Sequence, residues 1–306
     1  MKKIKDPGFG YSSKKDAKSI VNKNGSSNII HENKQFSINE TYSYLIQISW
    51  VKFFVFVFLS YLILNILFGL LFVLVGIEEI TESTGSLFND FLNGFFFSAQ
   101  TITTVGYGGI SPHGFWANLI SSFEALIGLL GFSFITGLLY GRFSKPKSSV
   151  NFSENIILRD FKNGKAIMFR LMNNFTNIMI EPEISVNFAI TKESDDVGYK
   201  KDFYELKLEF DKIKYLPTTW TIVHIIDSES PFFNLSDEEI QNLNAEWYIL
   251  IQYHDDSFSQ RVYQIHSYKM EDLKVNVQFV PATSYNKDGY TVLNHKILSS
   301  LSPLKN

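Results

Sequence analysis

The sequence predicts a two-part protein, an α-helical membrane unit with two spanning helices followed by an all-β sandwich. Two long apolar stretches, residues 53–75 and 116–141, flank a shorter apolar segment. From Val150 onward, short and partly alternating apolar runs replace these stretches. About 20 consecutive apolar residues are typical of a spanning helix, whereas short alternating runs separated by turns are typical of sandwich strands.

The composition excludes several kinds of chemistry. The chain has 306 residues, a net charge of −3 and no cysteine, so disulfides, thiolate metal sites and cysteine nucleophiles cannot occur. The sequence contains no block of lysine and arginine, which argues against a nucleic-acid partner. The six histidines lack metal-ligand spacing, and there is no phosphate-binding glycine loop or Gly-x-Ser-x-Gly elbow. We therefore expect neither an enzyme nor an organic cofactor.

The polar residues 1–36 predict a mobile tail that is ordered only where it crosses the later domain. Ser37 and Glu40 match a capping box, which predicts the start of an amphipathic helix over residues 37–50 on the membrane surface. Trp50 and Lys52 suit an interfacial aromatic and a phosphate-facing cation. The alternative is that this stretch is only the first turn of the next helix.

The charge distribution predicts the topology. Residues 53–75 carry no charge and, at 1.5 Å per residue, are long enough to cross a hydrocarbon layer of about 30 Å. Nine lysines lie in the first 52 residues, whereas residues 76–116 contain no lysine or arginine. The positive-inside rule therefore places both termini in the cytoplasm of a multi-pass protein of the plasma or bacterial inner membrane.

The segment between the spans predicts an ion pore. Residues 86–101 are too short to span and suit a pore helix whose C-terminal dipole favours a cation. Thr104-Val105-Gly106-Tyr107-Gly108 follows, and carbonyl oxygens of such a run can replace the water shell of K⁺. The K⁺ ligands would be Thr104, Val105, Gly106 and Tyr107. Since each ring of carbonyls needs four chains, we expect a homotetramer. The alternative is a chance glycine-rich turn.

The second span carries the other candidate pore residues. Glu124 is its only charge over residues 116–141, and we expect it to pack behind the filter with hydroxyl or amide partners; direct ion coordination is the alternative. Gly128 suits either a hinge or close helix packing. Phe132, Thr136 and Tyr140 recur every four residues and would line the cavity, with Tyr140 narrowing the cytoplasmic mouth.

A basic cluster ends this span. Arg142, Lys145 and Lys147 lie at headgroup depth, and Pro146 stops the helix. These cations either fix the orientation only or bind anionic lipid phosphate.

The remainder predicts an antiparallel sandwich. A capping box at Ser236 and Glu239 predicts a helix over 236–244, and residues after Pro281 predict a final hairpin and a loose tail. Asp255 and Asp256 form an acidic turn, and such turns are more often solvated surface than cation sites. The predicted strand cores are residues 156–158, 166–171, 184–188, 204–208, 247–251, 261–265 and 275–279.

These features together resemble the inward-rectifier potassium channel family, most closely its bacterial branch, over residues 37–285. The motifs that carry the resemblance are Ser49-Trp50, Phe95-Phe96-Phe97-Ser98, Thr103–Gly108, Glu124 through Gly137, Arg142-Phe143-Ser144-Lys145-Pro146 and Ser267-Tyr268. The resemblance implies a tetramer with a surface slide helix, a gate at the inner-helix bundle and a cytoplasmic immunoglobulin-like assembly. The implied segments are a tail (1–36), slide helix (37–50), pore domain (51–143), outer helix (51–76), pore helix (86–101), filter (104–108), inner helix (116–143), linker (144–150) and sandwich (151–306).

The resemblance also implies residue roles. Tyr140 matches the bundle-crossing constriction and Gly128 the inner-helix hinge. Phe132 stands where strongly rectifying relatives place an acid, so polyamines or Mg²⁺ should block only weakly. Asp255 and Asp256 fall in the cytoplasmic girdle loop, at about residues 253–260, where they would attract cations.

The basic cluster matches phosphoinositide-facing cations in the family, but Val51 replaces the arginine that follows the slide-helix tryptophan in animal relatives. This departure argues against activation by lipid, and phosphoinositides tend to inhibit bacterial members of the family, so the sign of any lipid effect stays open. Two alternatives to this function are a two-span K⁺ channel with a different ligand-sensing domain and a membrane-anchored β-sandwich binding module.

Overall fold

The computed structural model describes residues 3–14, 17–35, 37–146, 148, 150–194 and 198–304. The chain divides into two units. Residues Asn33–Lys145 form the membrane unit, and the stretches on both sides of it, up to Glu32 and from Pro146, together form the sandwich unit.

The membrane unit is built from four helices. They are α1 Ile38–Gln47, α2 Trp50–Val75, α3 Leu87–Ile102 and α4 Phe115–Ser144. A 3₁₀ turn follows α2 at Ile77–Glu79. Among the residues that the structure describes, two helices, α2 and α4, are long and apolar enough to cross a membrane. The shorter α3 packs between them, which is the arrangement that the lengths of the apolar stretches predicted.

The surface helix differs from its prediction at its start. Ser37 is the N-cap of α1, but its side chain makes no capping hydrogen bond, so the capping box predicted here is wrong. Glu40 instead forms an ion pair with Lys34 at 3.0 Å. Ile48 and Ser49 have extended ψ values of 158° and 153°, so α1 is a helix separate from α2.

The sandwich unit consists mainly of two sheets. Its strands, within the described residues, are β1 Lys3–Ile4, β2 Ser12–Ser13, β3 Val150–Phe152, β4 Ile156–Phe161, β5 Gly164–Asn173, β6 Met179–Ser194, β7 Gly198–Glu205, β8 Tyr215–Leu216, β9 Thr219–Ile226, β10 Ala245–Asp255, β11 Gln260–Lys269, β12 Leu273–Val275, β13 Val277–Phe279, β14 Thr283–Tyr285, β15 Thr291–Leu293 and β16 Leu301–Pro303. One sheet has the order β1-β7-β6-β10-β11, with β2 beside β7 and β8 beside β6. The other has the order β12-β4-β5-β3, with β9 beside β5. Only β12 and β4 pair in parallel among the described strands.

Aromatic side chains fill the core to which both sheets contribute. The ring of Phe188 lies 4.5 Å from that of Phe232 and 5.0 Å from that of Trp247, measured between centroids. A short helix, α5 Asp237–Gln241, adds the buried Ile240, and the capping box of Ser236 with its glutamate partner is confirmed. The helix ends earlier than predicted.

The described N-terminal residues, 3–14 and 17–32, are ordered where they cross the sandwich, over more of their length than the expected mobile tail. Both β1 and β2 pair with β7. The Phe9 ring stacks on Tyr248 with centroids 4.5 Å apart, and Val21 is buried. A Cβ on Gly25 would lie 2.1 Å from the Ile265 carbonyl oxygen, so only glycine fits this approach. These scattered apolar residues escape a composition argument because polar residues separate them.

The C-terminal segment also differs from the loose tail expected, because β16 pairs with β13 after the β14–β15 hairpin. Arg170 is buried and holds this segment in place. Its guanidinium donates to the carbonyls of Val280 and Ile297, both at 2.6 Å, and of Leu298 at 3.0 Å. It also lies over the ring of Phe279 at 4.8 Å.

Candidate ion pore

The predicted filter follows α3 and has an unusual backbone. Thr104, Gly106 and Gly108 have positive φ values of 62°, 52° and 80°. Positive φ at every second residue turns successive peptide units in a way that a regular helix or strand does not. Such a backbone can present several carbonyl oxygens toward one axis, which is what a dehydrated K⁺ requires.

The backbone of the predicted filter is hydrogen-bonded to the last turn of α3. The carbonyl of Gln100 accepts hydrogen bonds from the backbone N–H groups of Val105 at 3.0 Å and Gly106 at 3.3 Å. The Thr104 N–H donates to the Thr101 carbonyl at 3.0 Å. A displacement of this turn would therefore move the filter.

A buried polar cluster joins α3 to both spanning helices. Ser98 on α3 forms hydrogen bonds with the Glu124 carboxyl on α4 and, at 3.0 Å, with the Asn65 side-chain oxygen on α2. Asn65 in turn donates to the Tyr61 carbonyl at 2.7 Å. Ser98, Asn65 and Glu124 have no exposed surface. Glu124 thus has the Ser98 hydroxyl as its partner, and the Asn65 amide is linked to it only through Ser98. Sequence reasoning missed Asn65 and Ser98, although Asn65 is a conspicuous amide within an uncharged span.

Glycines bring the same three helices into close contact. A Cβ on Gly128 would lie 2.1 Å from the Ile102 carbonyl oxygen at the end of α3. A Cβ on Gly94 would lie 2.8 Å from the Gly69 carbonyl oxygen of α2. The helix α4 runs without a break through Gly128, which serves here as a packing contact, and the hinge stays a prediction.

The carboxylate of Glu79 caps the inner helix α4. It accepts a hydrogen bond from the Ala117 N–H at 2.9 Å. A Cβ on Gly114 would lie 2.2 Å from this carboxyl group, so the glycine makes room for the cap. A carboxylate at a helix N-terminus is favoured by the helix dipole. This contact could not be predicted, because Glu79 and Ala117 lie 38 residues apart and nothing in either stretch points to the other.

The proposed cavity stripe lies on an uncovered face of α4 in a single subunit. Phe132 and Tyr140 are 72% and 74% exposed, and the Thr136 hydroxyl donates to the Phe132 carbonyl at 2.9 Å. Leu138, on another face of the helix, is 1% exposed.

Arg142 contacts the surface helix and not only the solvent. Its guanidinium donates to the carbonyls of Leu45 at 2.6 Å and Ile48 at 2.7 Å, at the end of α1. It also lies 4.4 Å from the ring of Trp50 and 4.7 Å from that of Phe53. Two candidate lipid ligands, Arg142 and Trp50, are thus engaged with each other.

Lys52 and Lys145 are exposed and form no ion pair among the described residues, so they are free to meet an anion. Lys147 lies outside the described residues.

The two girdle acids have different surroundings. Asp255 is 1% exposed, and one of its oxygens accepts hydrogen bonds from the N–H groups of Ser257 at 2.9 Å and Phe258 at 3.3 Å. Asp256 is exposed. Asp255 therefore stabilises the turn between β10 and β11, and only Asp256 is free to attract cations.

Two spanning helices, a pore helix between them and a β-sandwich define a two-span ion channel with an extramembrane domain. Residues 150–302 match the family model "Inward rectifier potassium channel C-terminal domain", and residues 56–145 match the model "Ion channel". The chain belongs to the inward rectifier potassium channel family, as the sequence motifs suggested.

Two relatives match nearly the whole chain. It is 31% identical to the inward rectifier potassium channel Kirbac3.1 of Paramagnetospirillum magnetotacticum, over 90% of this chain and 92% of that protein. It is 24% identical to the ATP-sensitive inward rectifier potassium channel 12 of Gallus gallus, over 93% of this chain and 73% of that protein. The predicted fold class, two membrane helices and a β-sandwich, is thereby confirmed.

Proposed function

We propose that four copies of this chain form a channel that conducts K⁺ passively and selectively through the carbonyls of Thr104, Val105, Gly106 and Tyr107. The observation that carries the proposal is the positive φ at Thr104 and at the two filter glycines, in a segment anchored on α3. Each subunit supplies one carbonyl at each level, so a ring of four requires a tetramer with cyclic symmetry.

Exposed apolar surface around the filter supports assembly. Val105 and Tyr107 are 54% and 81% exposed in a single subunit. Large apolar side chains that face outward mark interfaces with protein or lipid. Neighbouring subunits would cover these two side chains and hold the diameter of the filter.

The division of the chain into units supports the proposed topology. The segments before and after the membrane unit fold into one body, which supports a location of both segments on the same side of the membrane. Two spans satisfy this requirement, and the lysines before α2 assign that side to the cytoplasm. The channel would reside in a plasma or bacterial inner membrane.

Gating and block are assigned to the exposed face of α4. Tyr140 would form the constriction of the inner-helix bundle, with Thr136 and Phe132 above it, and the cytoplasmic sandwich would bias the gate. Because Phe132 offers no carboxylate, internal polyamines or Mg²⁺ would block weakly. Phe132→Asp is expected to deepen voltage-dependent block by spermine; an unchanged block would show that residue 132 does not face the pore.

Anionic lipid, including phosphoinositide, would modulate the channel through Lys145, Lys52 and Lys147. Arg142 would contribute less, since two carbonyls already accept its hydrogen bonds. Neutralising Lys145 and Lys147 together should abolish the response to phosphoinositide in vesicles, whereas a retained response would leave these cations with a topological role only.

Ion flux into liposomes tests the main proposal. Reconstituted protein should take up Rb⁺ far faster than Na⁺, and barium should block the uptake. Gly106→Ala should abolish Rb⁺ uptake, because a Cβ is strained at this positive φ. Equal Na⁺ and Rb⁺ fluxes, or a dimeric particle in native membranes, would refute it and favour a membrane-anchored binding module.

A further inference from the structure

We propose that Asn65, Ser98 and Glu124 form a hydrogen-bond chain with one fixed direction, and that Glu124 supplies its last proton as a neutral carboxylic acid. Asn65 and Ser98 are then positioning residues, which hold the pore helix between the two spanning helices. This inference rests on the proposed K⁺ conduction and names the groups behind the filter that sustain it.

The direction of donation along these hydrogen bonds is set by the contact of Asn65 with the backbone of α2. The Asn65 amide nitrogen donates to the Tyr61 carbonyl at 2.7 Å, which fixes the orientation of the side chain. A flipped amide would place its oxygen against that carbonyl, where neither atom can donate. The Asn65 oxygen therefore faces Ser98 and lies 3.0 Å from its hydroxyl oxygen.

The Ser98 hydroxyl has a single proton. An amide oxygen only accepts, so this proton is directed toward Asn65. The same hydroxyl oxygen also contacts one carboxyl oxygen of Glu124. That second contact needs another proton, and Glu124 provides it only when protonated, because an ionised carboxylate only accepts.

The surroundings of Glu124 agree with a neutral group. Its side chain has no exposed surface, and no ion pair to it occurs within the described part of the chain. Its second carboxyl oxygen, Oε2, is buried without a hydrogen-bond partner among the described residues. An unpartnered buried oxygen is far less costly on a neutral acid than on a carboxylate.

The hydrogen bonds among Asn65, Ser98 and Glu124 connect α2, α3 and α4 at one point. Ser98 lies on α3, whose C-terminal turn anchors the filter through the Gln100 carbonyl. The proposed support is therefore geometric: a neutral polar chain fixes α3, and no fixed negative charge lies behind the filter. Selectivity should depend on the presence of a donor at position 124 and not on its charge.

Rb⁺ and Na⁺ uptake by variants of the full-length channel in liposomes shows whether position 124 needs a hydrogen-bond donor or a negative charge. Glu124→Gln keeps a donor toward Ser98 and should retain Rb⁺ uptake and the Rb⁺/Na⁺ ratio within about twofold. Ser98→Ala removes the junction and should lower the Rb⁺/Na⁺ ratio by about tenfold. Ser122→Ala is the matched control, since Ser122 is exposed and, among the described residues, bonds only to the Asn118 carbonyl of its own helix. It should behave like the unmodified channel.

A spectroscopic measurement tests the proton without relying on flux. At neutral pH, the infrared spectrum of the unmodified protein should contain a protonated-carboxyl C=O band that is missing from Glu124→Gln. Absence of this band, or a loss of selectivity in Glu124→Gln as large as in Ser98→Ala, would overturn the inference. An unmodified protein that passes no Rb⁺ would instead refute the proposed conduction, while the infrared band would still report on Glu124.

Discussion

Substitution of Gly128 by alanine tests the packing of the inner helix against the pore helix. The added methyl carbon would lie 2.1 Å from the Ile102 carbonyl oxygen, 2.9 Å from its carbonyl carbon and 3.0 Å from its Cα. All three are backbone atoms, so no side-chain rotation relieves the overlap, and α3 or α4 must shift. Overpacking of this kind costs about 1–3 kcal/mol. Alanine regains only about 1 kcal/mol of helix propensity relative to glycine. We expect a net destabilisation in every subunit.

The shift should also reach the filter, because Ile102 ends the helix on which the filter is anchored. The assay is the Rb⁺/Na⁺ uptake ratio in liposomes together with the thermal stability of the purified channel; both should fall for Gly128→Ala. Gly131→Ala and Gly137→Ala are matched controls on the same helix, since neither added Cβ meets an atom within 4 Å in a subunit. An unchanged ratio and stability, with only the open fraction altered, would refute the packing argument and favour the hinge.

Three further predictions concern charged or titratable groups. Arg142→Gln should expose the end of α1 to limited proteolysis and lower the stability of the membrane unit by about 1–3 kcal/mol, because the carbonyls there lose their donors. Arg142→Lys is the charge-retaining control. Equal protease resistance of Arg142→Gln and the unmodified protein would contradict this prediction. Burial and the charge of Lys23 lower the pKa of His266 from 6.5 to about 4, so between these pH values the unfolded state binds a proton that the folded state does not. The free energy of unfolding should therefore decrease by up to about 3 kcal/mol as the pH falls from 6.5 to 4. In urea titrations, His266→Phe should show a smaller decrease. Arg170→Met should make the C-terminal segment accessible to proteases and destabilise the sandwich by about 3 kcal/mol or more, since several buried carbonyls lose their hydrogen-bond donor. Unchanged resistance to proteolysis would show that the pairing of β16 is enough to hold the segment.

The features that the sequence predicted well depend on local pattern. The two apolar helices follow from the length of the apolar stretches, and the sandwich follows from short alternating runs. Identical capping patterns nevertheless gave different outcomes. Ser236 accepts the N–H of Glu239 and caps α5, whereas Ser37, with φ of −132°, makes no such bond. The pattern states which residues are able to cap, but not which other partners they meet: Glu40 forms an ion pair with Lys34, whereas Glu239 bonds back to Ser236.

Contacts between distant parts of the chain could not be predicted. The partner of Phe9 is Tyr248, and the partners of Ser98 lie on two other helices. Each of these residues looks ordinary within its own stretch of sequence. Only the packing of the helices and strands shows which polar groups meet, and this is why Asn65 was missed while Glu124, as a charge in a span, was noticed.

The pairing of β1 with β7 has a consequence for biosynthesis. Lys3 pairs with Tyr204, so the first strand leaves the ribosome long before its neighbour exists, and both spans are translated in between. Phe9 and Val21 of the nascent N-terminal segment therefore stay uncovered until Phe203 on β7 and Tyr248 on β10 have been synthesised. Pairing of β1 and β2 with β7 is therefore a late step in the folding of each subunit. In a chain truncated before β7, the N-terminal strands have no partner strand.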